Sequence, residues 1–185
     1  MRDFGYSERA RAINEAQAEI HCAFKEVVKR NDESDPRTRR WLNAIKAFEA
    51  AYARAYPEDL RLFEQGALPV SDVDTTDILD FLEADPVFFR SGYMKESLLG
   101  ELKKRTLDRR EVERLQGIIF SVVRKPDRRE FRRYCRVAAT VDDQGFREKL
   151  RHLEVVDDAD VRRRAAWVLA ALNANEPSHS NSTMT

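Results

Sequence analysis

Asp108–Leu115 (DRREVERL) is answered nineteen residues later by Asp127–Tyr134 (DRREFRRY). Each segment opens on an Asp and places an apolar residue four positions on, Val112 and Phe131. An Asp so placed accepts hydrogen bonds from the unpaired backbone N–H groups of a helix start, and Glu111 and Glu130 stand where a capping box puts its acid. Two further segments, from Asp142 and Asp157, share the frame with Phe146 and Val161. Apolar residues then continue in each, with Leu115 and Ile119, Cys135 and Ala138, Leu150 and Leu153, and Ala165 and Val168. Their spacing lines one face of a helix. The intervals between the four Asp leave room for helices of about 11–16 residues joined by short turns.

The rest of the chain also reads as helices. Gly and Pro number only 6 each, which argues against a turn-dense β sandwich or barrel. From Ser7 to Arg30, Ile13, Ala16, Ile20, Ala23, Phe24, Val27 and Val28 form one stripe. Asn31–Asp35 breaks it, and Asp35-Pro36 has the form of an N-cap followed by proline at the first helical position. The next helix should run to Tyr56 on Trp41, Ile45, Phe48, Tyr52 and Tyr56, with Pro57 ending it. The short connection predicts an antiparallel hairpin whose arms are roughly 30–35 Å long. A short helix over 57–65 stops at Gly66, and 67–74 (ALPVSDVD) is a loop and candidate hinge. Asp74 or Thr75 can cap a helix that buries Ile78, Leu79, Phe81 and Leu82. Asp85-Pro86 repeats the cap-plus-proline form, predicting a helical turn over 86–91 that ends at Gly92. Trp41 and Trp167 fall on apolar faces and are expected in the core, as are two reduced thiols, Cys22 and Cys135.

The last segment, Asp157–Leu172 (DDADVRRRAAWVLAAL), carries Val161-Arg162, Ala165-Ala166 and Leu169. It resembles the D-x-x-V-R-x-x-A-x-x-A-L rhythm of HEAT repeats. The resemblance covers about 93–172 and is specific only in its last helix. It implies packed helical pairs and a binding role, and it carries no catalytic residues. The expected fold is therefore all-α: a hairpin and short helix over 1–66, a hinge over 67–74, a HEAT-like array of short stacked helices over 75–172, and a polar, disordered tail over 173–185.

Lys+Arg and Asp+Glu are both 33, so the chain is neutral as a whole and is not a globally basic nucleic-acid binder. The charges are nevertheless segregated. Residues 57–92 hold 2 basic and 9 acidic side chains, net −7, and residues 93–151 hold 17 basic and 10 acidic, net +7. The sharpest concentration is Arg124, Lys125, Arg128, Arg129, Arg132, Arg133 and Arg136. On a helix from Asp127, Phe131, Tyr134, Cys135 and Ala138 face inward and the arginines cover the other surface. Such a stripe can receive an acidic partner protein, pair with the chain's own acidic 72–85 segment, track nucleic-acid phosphates, or simply be solvated. The sequence expectation is a protein-binding adaptor that presents this face to an acidic surface, with nucleic-acid backbone binding as the alternative.

Signals for chemistry are sparse. No phosphate-binding glycine loop, dinucleotide fingerprint or nucleophile elbow occurs, and His21, His152 and His179 lack metal-binding spacing. Asp72, Asp74, Asp77 and Asp80 miss the glycine of a calcium loop and fit helix capping and a solvated face better. No enzyme, metal or cofactor is expected. The sequence has no membrane-spanning run and no signal-peptide layout at its N-terminus, which predicts a cytoplasmic location and no membrane partner.

Overall fold

A computed structural model describes residues 4–126 and 128–174. The predicted tail beyond Ala174 and the cap position Asp127 lie outside the described residues. The fold is all-α, with nine α-helices and two short 3-10 turns among the described residues. It divides into two compact units, Met1–Leu98 and Leu99–Thr185. The division falls within a helix, and the 67–74 loop lies inside the first unit.

The first unit opens with the hairpin α1 (Tyr6–Phe24) and α2 (Pro36–Tyr52). The Asp35 carboxylate accepts the Arg37 N–H at 2.8 Å, with Pro36 at the first helical position, as the sequence predicts. Arg9 near the start of α1 donates to the Arg54 carbonyl beyond the end of α2 at 2.7 Å. At the other end, Arg40 pairs with Glu19 at 2.9 Å and with Glu26 at 3.0 Å. The arms are therefore antiparallel, but exposed ion pairs of this kind contribute little. Ala10, Ile13, Ala23 and Ala44, all buried, let the two helices approach closely.

Both arms are shorter than the apolar stripe suggests. α1 stops at Phe24, and the β-branched Val27-Val28 pair falls in the turn, with Val28 exposed. Buried Thr38 ties this turn to α2 by donating to the Lys29 carbonyl at 3.0 Å. α2 stops at Tyr52, four residues short of the predicted end at Tyr56. Tyr56 instead turns inward and packs on Phe81 and Phe88, each 5.6 Å away.

α3 (Glu58–Glu64) ends at Gly66, whose φ of +74° suits glycine alone without strain. The Ala67 N–H reaches back to the Leu62 carbonyl at 2.8 Å and that of Gly66 to Phe63 at 2.9 Å, closing a Schellman motif. Asp74 caps α4 (Thr75–Ala84), the central helix of this unit, where Ile78 through Leu82 are all buried.

The Asp85-Pro86 expectation is corrected. Asp85 terminates α4 in the left-handed region at φ +48°, and no helix forms over 86–90. Its carboxylate accepts from Lys95 Nζ at 2.6 Å, with side-chain exposures of 3 % and 1 %. Lys95 lies on α5 (Ser91–Leu102), which begins where the predicted turn should have ended and carries Gly92 within it.

The second unit holds α6 (Arg109–Val123), α7 (Phe131–Ala138), α8 (Gln144–Leu153) and α9 (Ala159–Asn173). Asp108 and Glu111 form the predicted capping box. In the two double-Asp starts the cap is the second residue, not the first. Asp143 accepts the Phe146 N–H at 2.7 Å, and Asp158 accepts from Asp160 and Val161. Asp142 instead pairs with Arg147 at 2.6 Å. Leu115, Ile119, Phe131, Tyr134, Phe146, Leu150, Ala165 and Val168 form the core. No helix among the described residues is long and apolar enough to cross a membrane.

The Phe146 N–H, and after it the Gln116 amide, hold the Asp143 carboxyl below its ordinary range. A carboxyl with a depressed folded pKa contributes stability above its unfolded value of about 3.9 and loses it as pH falls through the folded value. Asp143→Asn keeps the cap, so it should flatten the acid limb of the second unit's stability curve with little change at neutral pH. Asp143→Ala should cost about 1–2 kcal/mol at neutral pH. Urea titrations from neutral pH to pH 3 check both outcomes.

The expectation of two core thiols holds for one. Cys135 is buried, and burial pushes its thiol up to about 11, whereas Cys22 is exposed on the outer face of α1. Iodoacetamide at pH 8 should therefore alkylate Cys22 and reach Cys135 only after denaturant is added. Equal rates in the folded protein would contradict the burial.

Candidate functional site

The basic cluster is built around the short helix α7. Phe131, Tyr134, Cys135, Val137 and Ala138 are buried, so the remaining positions, Arg132, Arg133 and Arg136, point to solvent. The inner face of α7 packs on α9, whose Val161, Ala165, Val168 and Leu172 are buried. Within the second unit, no described carboxylate pairs with Arg132, Arg133 or Arg136. Guanidinium groups keep their charge and present a planar fork suited to carboxylates.

The other four predicted residues are placed differently. The helix begins at Phe131, later than predicted, so Arg128 and Arg129 lie in the preceding turn. Glu130 sits at the N-cap position, buried, and its predicted capping-box partner Asp127 lies outside the described residues. Lys125, Arg128 and Arg129 each engage another group of the chain. Arg124 ends α6 with its guanidinium 5.4 Å from the centre of the Phe120 ring. The seven cations thus reduce to a core of three on one helix face, flanked by four.

The arginines of α9 divide by role. Arg164 is buried and donates from Nε to the Val123 carbonyl at 2.8 Å, placing positive charge at the C-terminus of α6, where the helix dipole favours it. Arg162 donates to the Val156 and Asp157 carbonyls at 2.7 and 2.8 Å. Arg163 pairs with Asp160 at 2.8 Å, and its guanidinium lies 5.3 Å from the centre of the Trp167 ring.

Trp167 corrects the core expectation. It is 48 % exposed, and its ring centre lies 6.0 Å from that of Phe131, the first residue of α7. Trp and Arg are the side chains most enriched where binding energy concentrates at interfaces. The sequence carries a signal for this position. Arg163 and Trp167 are four apart and share a helix face, whereas Val161, Ala165, Val168 and Leu172 define the buried one. Trp41 is half-buried against Phe24, with ring centres 5.5 Å apart.

The acidic 72–85 segment is partly committed inside the first unit. Asp74 caps α4, Asp80 is buried and Asp85 holds Lys95. Among the described residues, no group of three His, Cys, Asp or Glu side chains is arranged to hold a metal ion. His21 and His152 are both exposed. No family model, curated protein or solved structure matches the chain.

Proposed function

We propose that this protein is a non-enzymatic binding module, an adaptor, whose α7 arginine face engages an acidic surface on a partner protein. The observation that carries this reading is the outward row Arg132, Arg133 and Arg136, without a described carboxylate partner in its own unit; the exposed Trp167, whose ring lies 6.0 Å from that of Phe131 at the start of the same helix, adds to it. A charged row supplies steering and register, and an aromatic anchor supplies apolar contact area. HEAT-like stacking is the architecture we assign to the second unit. The pairs α6 with α7, α8 with α9, α6 with α8, and α7 with α9 all touch, as in two stacked helical hairpins. We place the protein in the cytoplasm, a reading that its two unpaired cysteines support.

Backbone-led nucleic-acid binding is the second reading, and Trp167 favours it because an exposed ring offers a base a stacking surface. Fluorescence anisotropy of a labelled Glu-rich peptide and of labelled single-stranded and duplex oligonucleotides separates the two. The adaptor reading expects the peptide to bind and to weaken with salt. The second reading expects the oligonucleotides to bind more tightly, with log K falling on duplex DNA at about −0.9 per phosphate contacted. No binding of any probe at low salt removes both.

A further inference from the structure

The first unit carries a solvent-open cleft of about 130 Å³ that the basic face does not explain. Its walls come from the end of α2 (Tyr52), the turn after it (Tyr56), α3 (Phe63 and Glu64), Arg90 just before α5, and Tyr93 in its first turn. It is well below the ~300 Å³ at which pockets take drug-sized ligands. Its size suits a molecule of a few non-hydrogen atoms.

Its chemistry is two-sided. Tyr52 donates from its hydroxyl to Glu64 Oε1 at 3.0 Å, so the carboxylate is held against the aromatic wall. The Tyr52 and Tyr56 rings stand edge to face, 6.2 Å apart. A carboxylate beside aromatic rings is the environment that attracts an ammonium group, by charge and by the ring quadrupoles. Arg90 contributes a guanidinium to the same cleft, exposed to solvent, and no ion pair joins it to Glu64. Burial, more than any charge, raises the pKa of the Tyr52 and Tyr56 hydroxyls, with Glu64 adding to the rise and Arg90 opposing it. Arg90 also holds its backbone at φ +65°, a left-handed region that costs any residue with a Cβ some backbone energy and that glycine would occupy freely. An arginine kept in that strained position is consistent with a use for its side chain.

We propose that this cleft binds a small zwitterion of the amino-acid class, its ammonium group between Glu64 and the tyrosine rings and its carboxylate on Arg90. The inference stands apart from the proposed function, since it concerns the other unit. A neutral molecule would leave both charges unused, and an ion of either sign alone would satisfy one wall and be repelled by the other.

The test uses the full chain with ¹³C-labelled tyrosine rings, titrated to millimolar concentrations with valine and its two truncated analogues, isobutylamine and isovalerate. Valine should shift the Tyr52, Tyr56 and Tyr93 ring signals, and each analogue should bind at least tenfold more weakly. Arg90→Gly should lower valine affinity at least tenfold while the melting temperature holds or rises, because the substitution relieves backbone strain. Glu64→Gln should lower the affinity similarly. The proposal is overturned if no amino acid shifts these signals, if either analogue binds as well as valine, or if both substitutions leave the affinity unchanged.

Discussion

Asp85→Ala should destabilise the first unit by about 3–5 kcal/mol, among the largest single-site effects this fold offers. The Asp85 carboxylate and the Lys95 ammonium are 2.6 Å apart and almost entirely removed from water. Removing one member leaves the other in a low-dielectric site without that counter-charge, which costs far more than the pair contributes when intact. Asp85→Asn should cost much of the same amount, although Asn tolerates the left-handed backbone at this position. The double variant Asp85→Asn/Lys95→Met should recover a good part of the loss, because the buried charge goes with its partner. Urea denaturation read at Trp41, in a Trp167→Phe background, reports the first unit. Equal stability of Asp85→Asn and the parent would show that the pair is not buried in solution.

The second large effect concerns binding. Arg132→Glu, Arg133→Glu and Arg136→Glu together replace three cations with three anions on one exposed face. Against an acidic partner this turns attraction into repulsion. At about 1 kcal/mol for each rim charge, the triple variant should bind at least about 100-fold more weakly. The fold should be unaffected, since these side chains have no described ion pair in the unit and the buried face of α7 is unchanged. Trp167→Ala should weaken peptide binding without changing its salt dependence, because it removes apolar contact and no charge.

The all-α fold was legible because local signals and global packing agree over most of the chain. Asp35-Pro36, Asp74 and the Asp108 capping box do what their positions demand. The inner face of α7 follows from its spacing alone. Asp85-Pro86 shows where local reading fails. The dipeptide matches Asp35-Pro36 in type, but Lys95, ten residues on, takes the carboxylate that would have capped a helix. No pattern within a turn's length carries that information. The Asp142-Asp143 and Asp157-Asp158 starts failed by one residue, because adjacent acids offer two caps and packing selects the second. Trp167 belongs to the apolar run of α9, but its register puts it beside Arg163 on the outer face. Cys22, expected in the core as a reduced thiol, stands outside the apolar stripe of α1 and is exposed. In the candidate site, the cluster was visible as a charge run, but only the geometry separates three outward arginines from cations already engaged in the fold.

The most direct measurement is the anisotropy of a labelled Glu-rich peptide titrated with the parent protein and with the Arg132→Glu/Arg133→Glu/Arg136→Glu variant across one salt series, with circular dichroism run on both. The account predicts salt-sensitive binding by the parent, loss of that binding in the variant, and identical spectra. Undiminished peptide binding by a correctly folded variant would contradict it and would place the interaction surface elsewhere.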